Sequence, residues 1–173
     1  MNTLARLLTG ERQFELATNY VQKAKEISEK LDFKKGEANA YNIIGITYAY
    51  KNNYPEALKN FFAALEKWKQ IGNKRGIADS YNHIGSIYEY QGNYPDALKN
   101  FFSSLKIQEE VGNKEGIARS YNGIGIVYRL QGKTPEALNN YTKALKIYEE
   151  LGDKRGIAQA YNNMGLIYET QGK

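Results

Sequence analysis

The chain has 173 residues, 42% of them hydrophobic and 25% charged, with a formal net charge of +5 and no cysteine. That balance excludes a disordered or membrane-embedded polypeptide, and the missing thiols exclude disulfides and thiolate metal sites, as expected in a reducing cytoplasm. The cations are spread along the chain in pairs such as Lys74-Arg75 and Lys154-Arg155 with carboxylates nearby, not massed into a nucleic-acid-binding block.

At the N-terminus, Leu4, Leu7 and Leu8 form an apolar run too short for a signal peptide, and Glu11-Arg12-Gln13 follows directly. No run anywhere approaches the roughly 18 apolar residues of a membrane-spanning helix. The spacing predicts a short helix over 1–9 and a second over 12–31, with Phe14, Ala17, Ala24, Ile27 and Leu31 on one face. Then a stretch begins that the chain repeats. Tyr41-Asn42-Ile43-Ile44-Gly45-Ile46-Thr47-Tyr48 returns from Tyr81 to Tyr88, from Tyr121 to Tyr128 and from Tyr161 to Tyr168, each copy 40 residues after the last. A fixed period of this length is the mark of a solenoid, in which each unit buries its apolar face only by stacking on its neighbours.

Every unit reads as two helices. In the copy that opens at Gly72-Asn73, the glycine suits a left-handed helix stop and the asparagine suits the next cap, as Asp153 does later. Ile77, Tyr81, Ile84, Gly85 and Tyr88 then fall on one face of a first helix, A. Gln91-Gly92-Asn93 breaks it. Tyr94-Pro95-Asp96, Tyr54-Pro55-Glu56 and Thr134-Pro135-Glu136 each open a second helix, B, with proline at the first helical turn and an acid at the positive end of the dipole. The frame yields about nine helices. It places an atypical first pair over 1–34, full repeats over 35–73, 74–113 and 114–153, and a last helix A over 154–173, all in a single solenoid. The end at Gly172-Lys173 fits either a cap or a cut through a longer array. The outer face of the last helix is no more polar than its predecessors, which favours the cut.

Gly45, Gly85, Gly125 and Gly165 sit mid-helix, where glycine costs about 1 kcal/mol relative to alanine. Four repetitions of so unfavourable a residue predict a close crossing, with Ala57, Ala97 and Ala137 on its other side. Tyr48, Phe61, Tyr88, Phe101, Tyr128 and Tyr141 are expected to fill the space between pairs. Trp68 shares its register with Gln108 and Tyr148, as a convex-face contact or as cover for a neighbour.

These residues resemble the tetratricopeptide repeat. Tyr81-x-x-Ile84-Gly85-x-x-Tyr88 is similar to that family's helix A pattern, and Ala97, Phe101 and Ser104 to its helix B pattern. The 40-residue unit, longer than the common 34, resembles the repeats of kinesin light chains, spindle-orientation adaptors, bacterial peptide-pheromone receptors and the sensory segments of some bacterial signalling proteins. The resemblance implies an all-α, right-handed superhelix whose A helices line a concave groove for peptides or protein segments.

Positions that stay constant between repeats serve stacking, and positions that vary are free for a partner. The groove residues expected on this basis are Asp79, His83, Ser86, Glu89, Tyr90, Arg119, Ile126, Arg129 and Asn163. Beside them runs a constant ladder of Asn2, Asn42, Asn82, Asn122 and Asn162. Each amide can donate and accept at once, so the ladder can hold a peptide backbone or set the stacking of helices. The clamp of Lys and Arg with which some members of the family grip a C-terminal carboxylate is not reproduced, because Ile43, His83 and Gly123 stand beside the asparagines.

His83 is the one histidine, and its variable register marks it as a groove or surface residue and not a catalytic base. The chain has no strand-to-helix phosphate loop. The expectation is a non-enzymatic, cytoplasmic scaffold for protein or peptide segments, without cofactor, metal, nucleic-acid or membrane partners. The alternatives are a sensory segment of a larger bacterial signalling protein and a scaffold that self-associates through its solenoid ends.

Overall fold

The computed structural model describes residues 2–170, and the side chains of residues 16–169. The described residues form eight α-helices: α1 (Asn2–Lys30), α2 (Lys34–Tyr50), α3 (Tyr54–Gln70), α4 (Lys74–Tyr90), α5 (Tyr94–Glu110), α6 (Lys114–Leu130), α7 (Thr134–Leu151) and α8 (Lys154–Thr170). Seven follow the 40-residue frame closely. The difference lies at the N-terminus, where the two expected helices run on as one, α1, through Gly10. No proline or capping residue follows that glycine, and the roughly 1 kcal/mol cost of one glycine does not stop a helix by itself.

The turns are set by local chemistry. Asn73 accepts a hydrogen bond from the Gly76 amide at 3.0 Å, and Asp153 accepts one from the Arg155 amide at 3.1 Å. Pro55, Pro95 and Pro135 occupy the first turns of α3, α5 and α7. Two residues past the ends of α3 and α5 the chain swings into the left-handed region, at φ 66° for Gly72 and 67° for Gly112. Asp32 and Asn52 take the same conformation at two earlier turns, as the two non-glycine residue types that tolerate it best.

The chain divides into two compact units, Met1–Gly72 and Asn73–Lys173. In the second, α4 packs on α5 and α6 on α7, while the A helices α4, α6 and α8 touch one another in sequence. Its core joins Ala97, Phe101 and Leu105 of α5 to Ile124 and Val127 of α6. Further along, Tyr141 of α7 packs with Ile167 of α8.

Three of the four mid-helix glycines face an aromatic ring first, and the alanine expected opposite is close only at Gly125, where the Ala137 carbonyl oxygen would lie 3.3 Å from an added methyl. A methyl group on Gly85 would stand 3.0 Å from carbons of Phe101, and one on Gly125 would stand 2.6 Å from Tyr141. In the first unit, a methyl on Gly45 would stand 2.7 Å from Phe61. In each case the ring belongs to helix B of the same repeat, 16 residues on. A second glycine, Gly123, places its backbone against the same Phe101 ring, where a methyl would stand 2.7 Å away. Over Gly165 nothing lies within 4 Å. The expected consequence is a contrast. Gly125→Ala destabilises the chain by about 1–3 kcal/mol through overpacking, whereas Gly165→Ala stabilises it by up to about 1 kcal/mol through helix propensity. Thermal melts of the two variants check this, and equal effects would mean that the ring contact does not decide the residue.

The first unit departs from the repeat in one pair, a buried glutamate and a half-buried lysine. Glu37 and Lys67 stand where later repeats have Ile77, Ile117 and Ile157 on helix A, and Ile107 and Ile147 on helix B. Glu37 is 2% exposed; Lys67 bonds its carboxylate, and Lys34 approaches it at 3.4 Å. The Lys67 hydrogen bond, opposed by burial, holds the Glu37 carboxyl below its ordinary value. A carboxylate stabilised in this way contributes stability above its unfolded pKa, and that contribution is lost as pH falls through the folded one. Lys67→Ala should cost on the order of 2 kcal/mol, below the usual 3–5 for breaking a buried pair because Lys34 remains. Replacing both residues by isoleucine should restore wild-type stability and remove the pair's share of the acid sensitivity, as urea titrations at pH 7 and pH 4 would show.

Candidate functional site

In the second unit the A helices enclose a hollow of about 320 Å³. Helix α4 contributes Asp79, Asn82, His83, Ser86, Glu89 and Tyr90, and α6 contributes Arg119, Asn122, Gly123 and Ile126. Steps of three and four along α4 bring its six residues to one face. Phe101, Tyr148 and Gln159 complete the wall from α5, α7 and α8.

The polar groups at one end are tied together. Asp79 Oδ1 accepts from Gln108 Nε2 at 3.1 Å and from Arg119 Nη2 at 3.0 Å. Gln108 is fully buried and also accepts from Asn113 Nδ2 at 2.7 Å. Gly116 makes room for it, since a methyl there would overlap the Gln108 amide. His83 lies within reach of this charged pair; burial holds it below its ordinary pKa, against the pull of Asp79 and with the help of Arg119. Burial also pushes the Tyr148 hydroxyl up to about 12.

The asparagine ladder divides into different environments. Asn82 Nδ2 donates to Ser104 Oγ and to Ser120 Oγ, both at 3.0 Å. Both amide protons are therefore committed within the protein, and its carbonyl is left for the hollow. In the next repeat the equivalents of the two serines are Ala144 and Ala160, and Asn122 finds another partner by accepting from Asn163 Nδ2 at 2.9 Å. Asn42, in the first unit, has a buried Oδ1 without a hydrogen bond among the described residues. Asn162 is exposed on α8. The side chain of Asn2 lies outside those described.

Of the residues expected from sequence, the hollow thus brings together Asp79, Asn82, His83, Ser86, Glu89, Tyr90, Arg119, Asn122 and Ile126. Arg129 lies in the last turn of α6, partly buried, and Asn163 is buried against Asn122. Sequence reasoning left Phe101 and Tyr148, which come from B helices, out of the site, whereas Gly123 and Gln159 stand at helix A positions that vary between repeats. Trp68 is 7% exposed, which makes it cover and not a convex-face contact. Among the described residues there is no group of three or more His, Asp or Glu placed to hold a metal, and no helix long and apolar enough to cross a membrane.

A family model described as the tetratricopeptide repeat matches residues 76–150. Over those residues the chain is built of tetratricopeptide repeats. These repeats share their fold with BtubC (BKLC) from P. vanneervenii at a TM-score of 0.81 and 19% identity, over 98% of this chain and 70% of that one. The STAND signal-transduction ATPase with a tetratricopeptide repeat sensor from Pyrococcus horikoshii is similar at 0.79 and 26%, over 95% of this chain and 26% of that one. A third similar structure is the Rap conjugation gene regulator of plasmid pLS20 in complex with the Phr* peptide, at 0.73 and 19%, over 84% of this chain and 41% of that one. This repeat chain therefore spans well under half of the last two. No curated protein matches it in sequence.

The Asn82 bonds predict a thermodynamic cycle. Asn82→Ala alone, and the Ser104→Ala/Ser120→Ala pair alone, should each lower stability by about 1 kcal/mol by removing the two hydrogen bonds of the amide. The triple variant should cost clearly less than the sum, because the neighbouring repeat already carries alanine at both serine positions. Denaturant midpoints measure this, and strictly additive losses would place the amide's bonds elsewhere.

Proposed function

We propose that the second unit binds an extended peptide or protein segment in the hollow between α4, α6 and α8. The observation that carries this reading is the convergence of the repeat-variable side chains. His83, Ser86, Glu89, Arg119 and Ile126 stand at positions that vary between repeats, and they line one concavity. Stacking does not need them to differ, so a ligand can be selected through them. The mixture is that of a recognition site: an apolar patch at Ile126 and Phe101, with a few placed polar groups. The similar Rap structure holds a peptide, which supports the ligand class.

A second reading places the same hollow in a sensor. The similar Pyrococcus protein, whose tetratricopeptide repeats are described as a sensor, supports it. In that case occupancy of the hollow would control an output region encoded with this segment, and the sequence of the full gene separates the two readings.

The binding claim is tested by selecting hexapeptides from a random library on the whole chain. Ser86→Tyr should fill the hollow and weaken the selected peptides at least about tenfold, or roughly 1.4 kcal/mol. Phe102→Ala, at an exposed position outside the hollow, should leave their affinity unchanged. Equal binding to both variants would place the ligand elsewhere.

A further inference from the structure

The two carboxylates of the hollow are in opposite situations. Asp79 is satisfied by Gln108 and Arg119. Glu89, ten residues further along α4, is not. Its side chain is half-buried in the hollow, and no hydrogen bond offsets that burial. The cation that acts on it, Arg129 of α6, forms no ion pair with it within 4 Å among the described residues. A desolvated carboxylate without a donor at contact distance is costly, and a fixed donor cation relieves that cost more than a distant charge does. Ser86 stands one turn before Glu89, and both line the hollow together with Tyr90 and Ile126. Tyr90 and Ile126 offer an aromatic ring and an aliphatic surface to a long methylene stem ending in a charge.

We propose that Glu89 is the subsite for a basic side chain, lysine or arginine, of the segment that occupies the hollow. The proposal rests on the peptide-groove reading and names the ligand chemistry within it. Arg119 does not compete for Glu89, since it is engaged by Asp79 and by Glu115 at 3.8 Å. The pH dependence gives the proposal its signature. Burial raises the Glu89 carboxyl to about 7, with Arg129 of α6 pulling the other way. Tyr141 of α7 is the other titratable group coupled to this corner, and burial raises it above its ordinary value. It therefore stays neutral through the physiological range. A basic ligand requires the ionised carboxylate, so its affinity should rise about tenfold between pH 6 and pH 8 as the competent fraction grows. A ligand that accepts a hydrogen bond from neutral Glu89 would show the opposite slope.

The experiment uses the hexapeptides selected on the whole chain at pH 8, resynthesised with each Lys or Arg replaced in turn by Gln. Binding to wild-type protein and to Glu89→Gln is measured from pH 6 to pH 8, and circular dichroism confirms that the isosteric variant is folded. The expected result is enrichment of one basic residue whose replacement by Gln weakens binding about tenfold or more, with that loss and the pH slope absent in Glu89→Gln. Selected peptides that lack a basic residue, that tolerate its replacement, or that bind more tightly at pH 6 would overturn the subsite while leaving peptide binding intact. A library that yields no binder would overturn both.

Discussion

An aromatic ring pressed against a helix backbone is the contact on which the repeats depend. Phe61, Phe101 and Tyr141 each cover a glycine of their own repeat, and each is at most 1% exposed. The ring needs the missing side chain, so the glycine must be mid-helix despite its poor propensity. Phe101 carries the consequence furthest. It lies against Gly85 of α4 and Gly123 of α6, joining two A helices through one B helix. It also forms part of the hollow's wall. The same ring that stacks the repeats therefore shapes the surface that the proposed ligand would meet.

On that frame the polar residues are arranged pair by pair, and each repeat has its own arrangement. Asn82 has two serines where Asn122 has two alanines and a second asparagine. Glu37 and Lys67 replace isoleucines in the first unit. A buried ionic pair adds little net stability over an apolar one, but it penalises a shift of register. Nearly identical repeats are at risk of pairing out of order, and such differences discriminate the correct neighbour from its copies.

Much of this was legible in the residues. The 40-residue spacing of Tyr41, Tyr81, Tyr121 and Tyr161, with Pro55, Pro95 and Pro135 at fixed offsets, located seven of the eight helices. Comparing the repeats with one another picked out most of the lining of the hollow. What stayed hidden has physical reasons. Gly10 carries the same letter as Gly92, but without the turn chemistry after it the helix continues. Variation at position 163 reflects a buried bond to Asn122, a packing cause that looks identical to a binding cause in the sequence. The unpaired state of Glu89 depends on where α6 places Arg129, which no spacing rule reveals. Glu37 did leave a signal, a charge in an isoleucine register.

The central claim is that the residues at positions that vary between repeats form one binding surface. A co-crystal structure of the chain with a library-selected hexapeptide tests it most directly. The account predicts density for an extended peptide in the hollow, alongside His83 and Ile126, with a basic side chain at Glu89. Density seated instead over the exposed face around Phe102, with the hollow holding only solvent, would contradict it.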